Sequence, residues 1–232
     1  MPRAESGRTL GTLAWLRAGL RPSPLTDGSD VGTPAKRPRW LLLASAFVLW
    51  MVVVGVGLGQ LWAYAQTPGP AARASAAWPA ATRLVRDAHR PTLLVFAHPQ
   101  CPCSRATIGE LALLLTQVRD RMTTYVIFYR PLNAEPGWEQ TDLWRSAAAI
   151  PGVQILRDDD GADAAVFGAA TSGQTFLYDA EGKLIFSGGM TSARGHSGDN
   201  VGRSTLTALL NGGRSATTQT SVFGCLLGTP TE

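Results

Sequence analysis

Two cysteines that flank a single proline, Cys101 and Cys103, are the side chains of this sequence best suited to chemistry. A short apolar run ends just before them and a stretch with helical periodicity follows, so we expect Cys101 to lie where a helix begins. Unpaired backbone N–H groups at that position stabilise an anion and lower the pKa of a thiol from about 8.5. Pro102 suits the first helical position because its missing N–H is not needed there. The pattern predicts a reactive thiol.

The third cysteine, Cys225, lies near the C-terminus. Cys103 can close a tight and relatively oxidising disulfide with Cys101, and either of them can pair with Cys225 if the tail folds back. An odd number of cysteines leaves at least one thiol free, bound to a metal or paired with another chain. We predict that all three are catalytic: Cys101 attacks, Cys103 resolves the mixed disulfide, and Cys225 is an alternative resolving thiol. Inert or structural thiols are the alternative.

Two histidines open a second interpretation of the same residues. His98 lies within six residues of both Cys101 and Cys103, and His196 lies in a glycine-rich loop, residues 194–200, that can face the cysteines. Thiolate and imidazole ligands together suit Cu(I) or Zn. The spacing matches no recurrent metal motif, so our first expectation is a site without a cofactor. A copper or zinc site built from Cys101, Cys103, His98 and His196 is the alternative.

Alternating strand and helix signals surround these residues. The order is β-α-β-α-β-α-β-β-α, which predicts a parallel α/β core that finishes in an antiparallel hairpin and a helix. A turn sequence at residues 179–183 separates the last two strands. The predicted strands are residues 92–97, 123–129, 153–156, 175–178 and 184–187, and the predicted helices are residues 104–118, 138–150, 163–169 and 198–210.

Two segments also carry a family resemblance. Residues 94–104 (LVFAHPQCPCS) resemble the strand–loop–helix of thioredoxin-like proteins, whose nucleophilic cysteine lies five residues after a phenylalanine of the strand. Residues 167–183 (FGAATSGQTFLYDAEGK) are similar to the segment that leads into the final hairpin of that family. The resemblance covers about residues 82–212, and within the family the chain resembles the membrane-anchored proteins labelled RedB. It implies a thioredoxin-like fold, a central mixed sheet flanked by helices, and thiol–disulfide oxidoreductase activity.

Two positions depart from the family pattern. Ser104 occupies the place of the second cysteine of the usual Cys-x-x-Cys, and Gln174 stands where the family has a cis-proline. The resemblance implies that Gln174 and Thr175 line the substrate-binding site beside the nucleophile. The missing proline normally blocks metal capture, so its absence favours the copper or zinc alternative. Both departures also favour a third interpretation, a non-catalytic thioredoxin-like interaction domain.

A long apolar segment precedes the domain. No charged residue occurs between positions 40 and 72, and about 20 such residues cross the core of a bilayer. The basic residues just before it predict a cytoplasmic N-terminus, by the positive-inside rule. Small residues at 63–65 also fit cleavage of a signal peptide, but the length of the apolar run favours a retained signal anchor. We therefore predict a single-pass protein of the cell inner membrane with its C-terminal domain in the periplasm or extracytoplasmic space.

The charge distribution supports this organisation. Residues 1–39 carry seven basic and three acidic side chains, which accounts for the whole net charge of +4. The rest of the chain is balanced, which gives no reason to expect nucleic acid as a partner. All three cysteines follow the apolar segment, so the expected partners are the membrane and the thiols or disulfides of an extracytoplasmic protein. The predicted segments are a basic, mostly disordered part (1–39), a transmembrane helix (40–64), a Pro/Ala-rich linker (65–81), a thioredoxin-like domain (82–212) and a tail with Cys225 (213–232).

Overall fold

A computed structural model describes residues 38–118 and 120–228 of the chain. Residues 1–37, most of the segment predicted to be basic and disordered, lie outside the described residues. The chain divides into two compact units, residues 1–47 and residues 48–232.

The first helix, α1, runs from Arg39 to Gln66 and is apolar on all sides. It is the one helix among the described residues that is long and apolar enough to cross a membrane. Its 28 residues span about 42 Å at 1.5 Å each, which exceeds the roughly 30 Å of a bilayer's hydrocarbon core. The helix extends by a residue or two beyond each end of the predicted span.

Five strands form one mixed sheet in the order β3-β2-β1-β4-β5. The first three strands of the chain are parallel to one another, and the last two are antiparallel to their neighbours. With the helices described next, this is the thioredoxin-like fold that the resemblance implies, and the predicted fold class is confirmed. The strands are β1 (Thr92–Ala97), β2 (Thr123–Arg130), β3 (Val153–Asp159), β4 (Gln174–Tyr178) and β5 (Leu184–Gly188).

Four helices cover the two faces of the sheet: α2 (Ser104–Val118), α3 (Asp142–Ala148), α4 (Ala162–Phe167) and α5 (Val201–Leu210). The buried side chains of α2, α3 and α5 join one hydrophobic cluster, and those of α4 join the cluster on the opposite face. Two helices begin later than predicted. Residues 138–141 form turns before α3, and Asn200 caps α5 by accepting a hydrogen bond from the Arg203 backbone N–H at 2.8 Å.

The Pro/Ala-rich segment between α1 and the sheet packs along the domain. Arg73 donates its backbone N–H to the Gly168 carbonyl at 2.9 Å, and Leu184 of β5 donates to the Ala76 carbonyl at 2.9 Å. Trp78 packs edge-on against Phe167 and Tyr178, with ring centroids 5.2 Å apart in both pairs. Small alanines and one large aromatic ring therefore cover apolar surface that α4 leaves open.

Candidate functional site

The strand–loop–helix formed by β1 and α2 holds Cys101. The Cys101 N–H donates to the His98 carbonyl at 3.0 Å, and the Ser104 N–H donates to the Cys101 carbonyl at 3.1 Å. These bonds close the turn that leads into α2, so Cys101 lies just before the head of the helix. Helix α2 begins at Ser104, so the expectation that Pro102 occupies the first helical position is wrong. Cys101 is only 3% exposed, and Cys103 is 8% exposed. Both thiols are free.

A pair of serines links the head of α2 to the loop before β4. The hydroxyls of Ser104 and Ser172 lie 2.5 Å apart, and Ser172 also accepts the His98 backbone N–H at 2.7 Å. Ser104, which stands at the family's second cysteine position, is therefore a buried hydrogen-bonding group that ties the cysteine loop to the rest of the sheet. Ser172 was not among the predicted site residues, because only the fold brings it next to α2.

The C-terminal tail carries Cys225 onto Cys101. Ser172 donates its N–H to the Cys225 carbonyl at 2.7 Å, and Leu227 donates to the Ala170 carbonyl at 3.0 Å. These two bonds fix the backbone on either side of Leu226, and the Cys225 N–H points at the Cys101 sulfur with an N···S distance of 3.4 Å. Cys225, which the sequence separates from Cys101 and Cys103 by more than a hundred residues, therefore joins them in one cluster.

The three thiols differ in acidity. Burial acts to raise the pKa of Cys101, but hydrogen bonds from Cys225 and Ser104 outweigh it, so that pKa lies below its ordinary value. Burial, followed by the charge of Cys101, raises the pKa of Cys103. Burial also raises the pKa of Cys225 to about 12, with further contributions from Cys101 and Cys103. Cys101 is thus the thiol of the cluster that most readily becomes a thiolate.

One arginine of the glycine-rich loop adds a positive charge to the cluster. Arg194 donates from its guanidinium to the Gly224 carbonyl at 2.5 Å and to the Thr67 carbonyl at 3.2 Å. Its charge lowers the pKa of both Cys103 and Cys225, against the larger effect of burial. Sequence reasoning pointed to this loop but not to Arg194, since no local spacing indicates which of its residues faces the thiols.

The two histidines predicted as alternative metal ligands have different surroundings. His98 is half-buried and stacks on Tyr129 at 5.7 Å between ring centroids, with Trp138 edge-on at 5.6 Å. Its Nδ1 accepts the Gln100 N–H at 3.2 Å, and burial lowers its pKa. His196 is exposed in its loop. Within residues 38–118 and 120–228, no group of three or more His, Cys, Asp or Glu side chains is arranged to hold a metal ion.

The predicted substrate-binding residues begin strand β4. Gln174 is buried, and its side-chain amide donates to the Thr175 carbonyl and to the Ser187 hydroxyl, both at 3.3 Å. It lines a cavity of about 850 Å³ between residues 68–76 and residues 219–222. Thr175 is also buried and donates its hydroxyl to the Gly173 carbonyl at 3.2 Å. The substrate-binding role of both residues stays a prediction.

Comparisons with known proteins agree with the fold. No model of a known protein family matches the chain, and no curated protein matches it. A hypothetical protein from Sinorhizobium meliloti has a similar structure, with 25% identity and a TM-score of 0.52 over 67% of this chain and 96% of that one. An uncharacterized conserved protein from Geobacillus kaustophilus shows 18% identity and a TM-score of 0.53, over 72% and 94% of the two chains. Both likenesses extend over nearly the whole of those proteins.

Proposed function

We propose that this chain is a membrane-anchored, extracytoplasmic thiol–disulfide oxidoreductase of the RedB-like kind, with Cys101 as the attacking thiol. The observation that carries the proposal is the position of Cys101. It lies just before the head of α2, its pKa is lowered by hydrogen bonds, and two further thiols lie beside it. An inert buried thiol needs neither a lowered pKa nor a second thiol within reach.

The proposed reaction uses no cofactor. The Cys101 thiolate attacks a disulfide of a partner protein, and a second thiol of the cluster, Cys103 or Cys225, completes the exchange. Burial of the cluster favours this chemistry in one respect: a site shielded from water strengthens the hydrogen bonds that stabilise the thiolate. Burial of the cluster also requires that the partner displace part of the covering surface, because Cys101 is almost fully enclosed.

We propose that the reaction takes place in an oxidising compartment. The length and composition of α1 support a retained span, and the basic residues before it support an extracytoplasmic domain. The proposed location is the cell inner membrane, with the domain in the periplasm, where disulfides persist. The proposed partner is a protein that presents a thiol or a disulfide there.

The test is a redox titration of the full chain in detergent. Differential alkylation and mass spectrometry would follow each cysteine across a series of glutathione potentials, without added metal. We expect one disulfide that includes Cys101 to open and close between about −270 and −120 mV, the range of known exchange proteins. The Cys101→Ser variant should lose this transition. If no cysteine pair titrates in that window, the chain is not an exchange protein, and the thiols serve a metal or a structural role.

A further inference from the structure

We propose that Cys225 is the resolving thiol, which closes a disulfide on Cys101, and that Arg194 is the residue that positions it. This inference rests on the proposed function, because it concerns the second step of the same exchange. It reverses the order of preference expected from the sequence, in which Cys103 resolves and Cys225 is the alternative.

The contacts of the tail favour Cys225 as the resolving thiol. The Cys225 N–H already lies 3.4 Å from the Cys101 sulfur, and the Ser172 N–H and the Ala170 carbonyl hold the backbone around it. The Cys103 thiol also forms a hydrogen bond with the Cys101 thiol, but Cys103 lies only two residues beyond Cys101, so a disulfide between them closes a tight and strained ring. A disulfide between Cys101 and Cys103 must therefore distort the beginning of α2, whereas one to Cys225 joins two separate segments.

The contacts of Arg194 also favour Cys225 as the resolving thiol. Its guanidinium bonds to the carbonyl of Gly224, the residue before Cys225, and to the carbonyl of Thr67. The loop that bears Arg194 is itself fixed to α2, because buried Glu110 accepts the Gly198 N–H at 2.8 Å. Arg194 thus holds the tail in place, and its positive charge lies beside both Cys225 and Cys103.

The charges of the cluster set the order of the two steps. While Cys101 is a thiolate, its charge opposes ionisation of Cys225, and burial does the same. Once Cys101 has formed a mixed disulfide, its negative charge is gone and the attraction of Arg194 remains. Cys225 therefore becomes a better nucleophile only after Cys101 has reacted.

The exchange balances as two substitutions at sulfur. Cys101 thiolate attacks one sulfur of the partner's disulfide, forms a bond to it and releases the partner's other sulfur as a thiolate. The released thiolate accepts the proton of Cys225. Cys225 thiolate then attacks the Cys101 sulfur, forms the Cys101–Cys225 disulfide and releases the partner's first sulfur. The chain loses two electrons and the partner gains them.

A single equivalent of an aromatic disulfide, dithio-bis-nitrobenzoate, tests the assignment on the reduced full chain in detergent. Attack by Cys101 releases one coloured thiolate, and resolution releases the second. We expect wild type and Cys103→Ser to release both, and Cys225→Ser to release one and to keep an adduct that mass spectrometry locates on Cys101. If Cys103→Ser holds the adduct, or if neither variant does, Cys225 is not the resolving thiol. If wild type does not release even the first coloured thiolate, the proposed function itself is rejected. The same holds if Cys101→Ser still releases the first thiolate.

A glycine pair in the tail gives a test that keeps all three thiols. A Cβ added to Gly224 would lie 1.9 Å from the Ser172 carbonyl oxygen, so Gly224→Ala must push the tail away from Cys101. At Gly228 the nearest atom, Tyr129 Cε2, is 3.6 Å away, which makes Gly228→Ala a matched control. We expect Gly224→Ala to slow the second release by about tenfold or more, since small misplacements of reacting groups are costly. Equal rates in the two variants would overturn the proposal.

The role of Arg194 is tested by the pH dependence of the second release. In Arg194→Gln, we expect the rate to fall at neutral pH and to recover at higher pH, because the Cys225 thiol loses the charge that favours its ionisation. Arg194→Lys keeps the charge and should retain more of the rate at neutral pH. A pH profile that is the same in Arg194→Gln and wild type would show that Arg194 does not act on the resolving thiol.

Discussion

The Cys101 thiol lies between two regions of very different origin. On one side are the end of β1, the cysteine loop and the head of α2, which are contiguous in sequence. On the other side is the tail at residues 219–227, and the two residues in contact, Cys225 and Cys101, are 124 positions apart. The comparison teaches that the local region places the thiol before the head of α2, while the distant region supplies Cys225, whose hydrogen bond contributes most to the lowered pKa of Cys101.

The tail reaches this position through the edge of the sheet. Ser187 of β5 donates its N–H to the Thr218 carbonyl at 3.0 Å, and the Thr220 N–H donates back to Ser187 at 3.2 Å. Gly69 donates to the Val222 carbonyl at 2.8 Å from the other side. The unpaired edge of β5 thus becomes a docking site for the tail, which covers an otherwise exposed strand.

Removal of the tail is the most direct test of how the tail and the local region around Cys101 depend on each other. A chain that ends at Gly213 loses Val222 and Leu227, which are 6% and 3% exposed, together with the hydrogen bonds to β5. Since burial of one aliphatic side chain contributes about 1.5–3 kcal/mol, we expect the free energy of unfolding to fall by at least about 3 kcal/mol. Chemical denaturation of the two chains measures the difference.

A chain that ends at Gly228 is the control for this truncation. It keeps the tail contacts of Val222, Cys225 and Leu227, so its stability should match that of the full chain. If the chain ending at Gly213 is equally stable, the tail contributes nothing to the domain, and the two regions around Cys101 are independent.

The local region is tested at Ser104. Its hydrogen bond helps to lower the pKa of Cys101, so Ser104→Ala should raise that pKa while the Cys225 contact remains. Hydrogen bonds to charged groups contribute about 1.5–3 kcal/mol, so we expect alkylation of Cys101 by iodoacetamide at neutral pH to slow by about tenfold or more. Ser146→Ala, at an exposed position of α3, is the matched control. A pH profile that is unchanged in Ser104→Ala would leave the tail as the source of the lowered pKa.

The two regions also differ in how far the sequence predicts them. Strand β1 and helix α2 have the predicted bounds, because a continuous apolar run followed by helical periodicity reflects local burial. The reactive position of Cys101 follows from the same local pattern. The docking of residues 213–228 has no such signal, since it depends on hydrogen bonds between backbone groups, which every residue carries.

The residues around the thiol show the same division. Ser172, Arg194 and Cys225 meet at Cys101 only when β4, the loop before α5 and the tail are all in place. Sequence alone identified Cys225 as chemically able to pair, but its partner depends on where the tail runs over the sheet. His98 is the converse case: its spacing from Cys101 suggested a ligand, whereas its neighbours Tyr129 and Trp138 make it part of an aromatic cluster.

The smallest expected effect concerns His98, on the local side of the site. Burial places its pKa below the ordinary value of 6.5, so the folded state favours the neutral ring. The stability that this preference contributes is present above pH 6.5 and is lost as pH falls from 6.5 to the lower folded-state pKa. We expect thermal stability to decline over that interval in wild type and to decline less in His98→Gln, which keeps an acceptor for the Gln100 N–H. His196→Gln, in the exposed loop, should behave as wild type. If His98→Gln shows the full decline, the acid sensitivity arises from another titratable group.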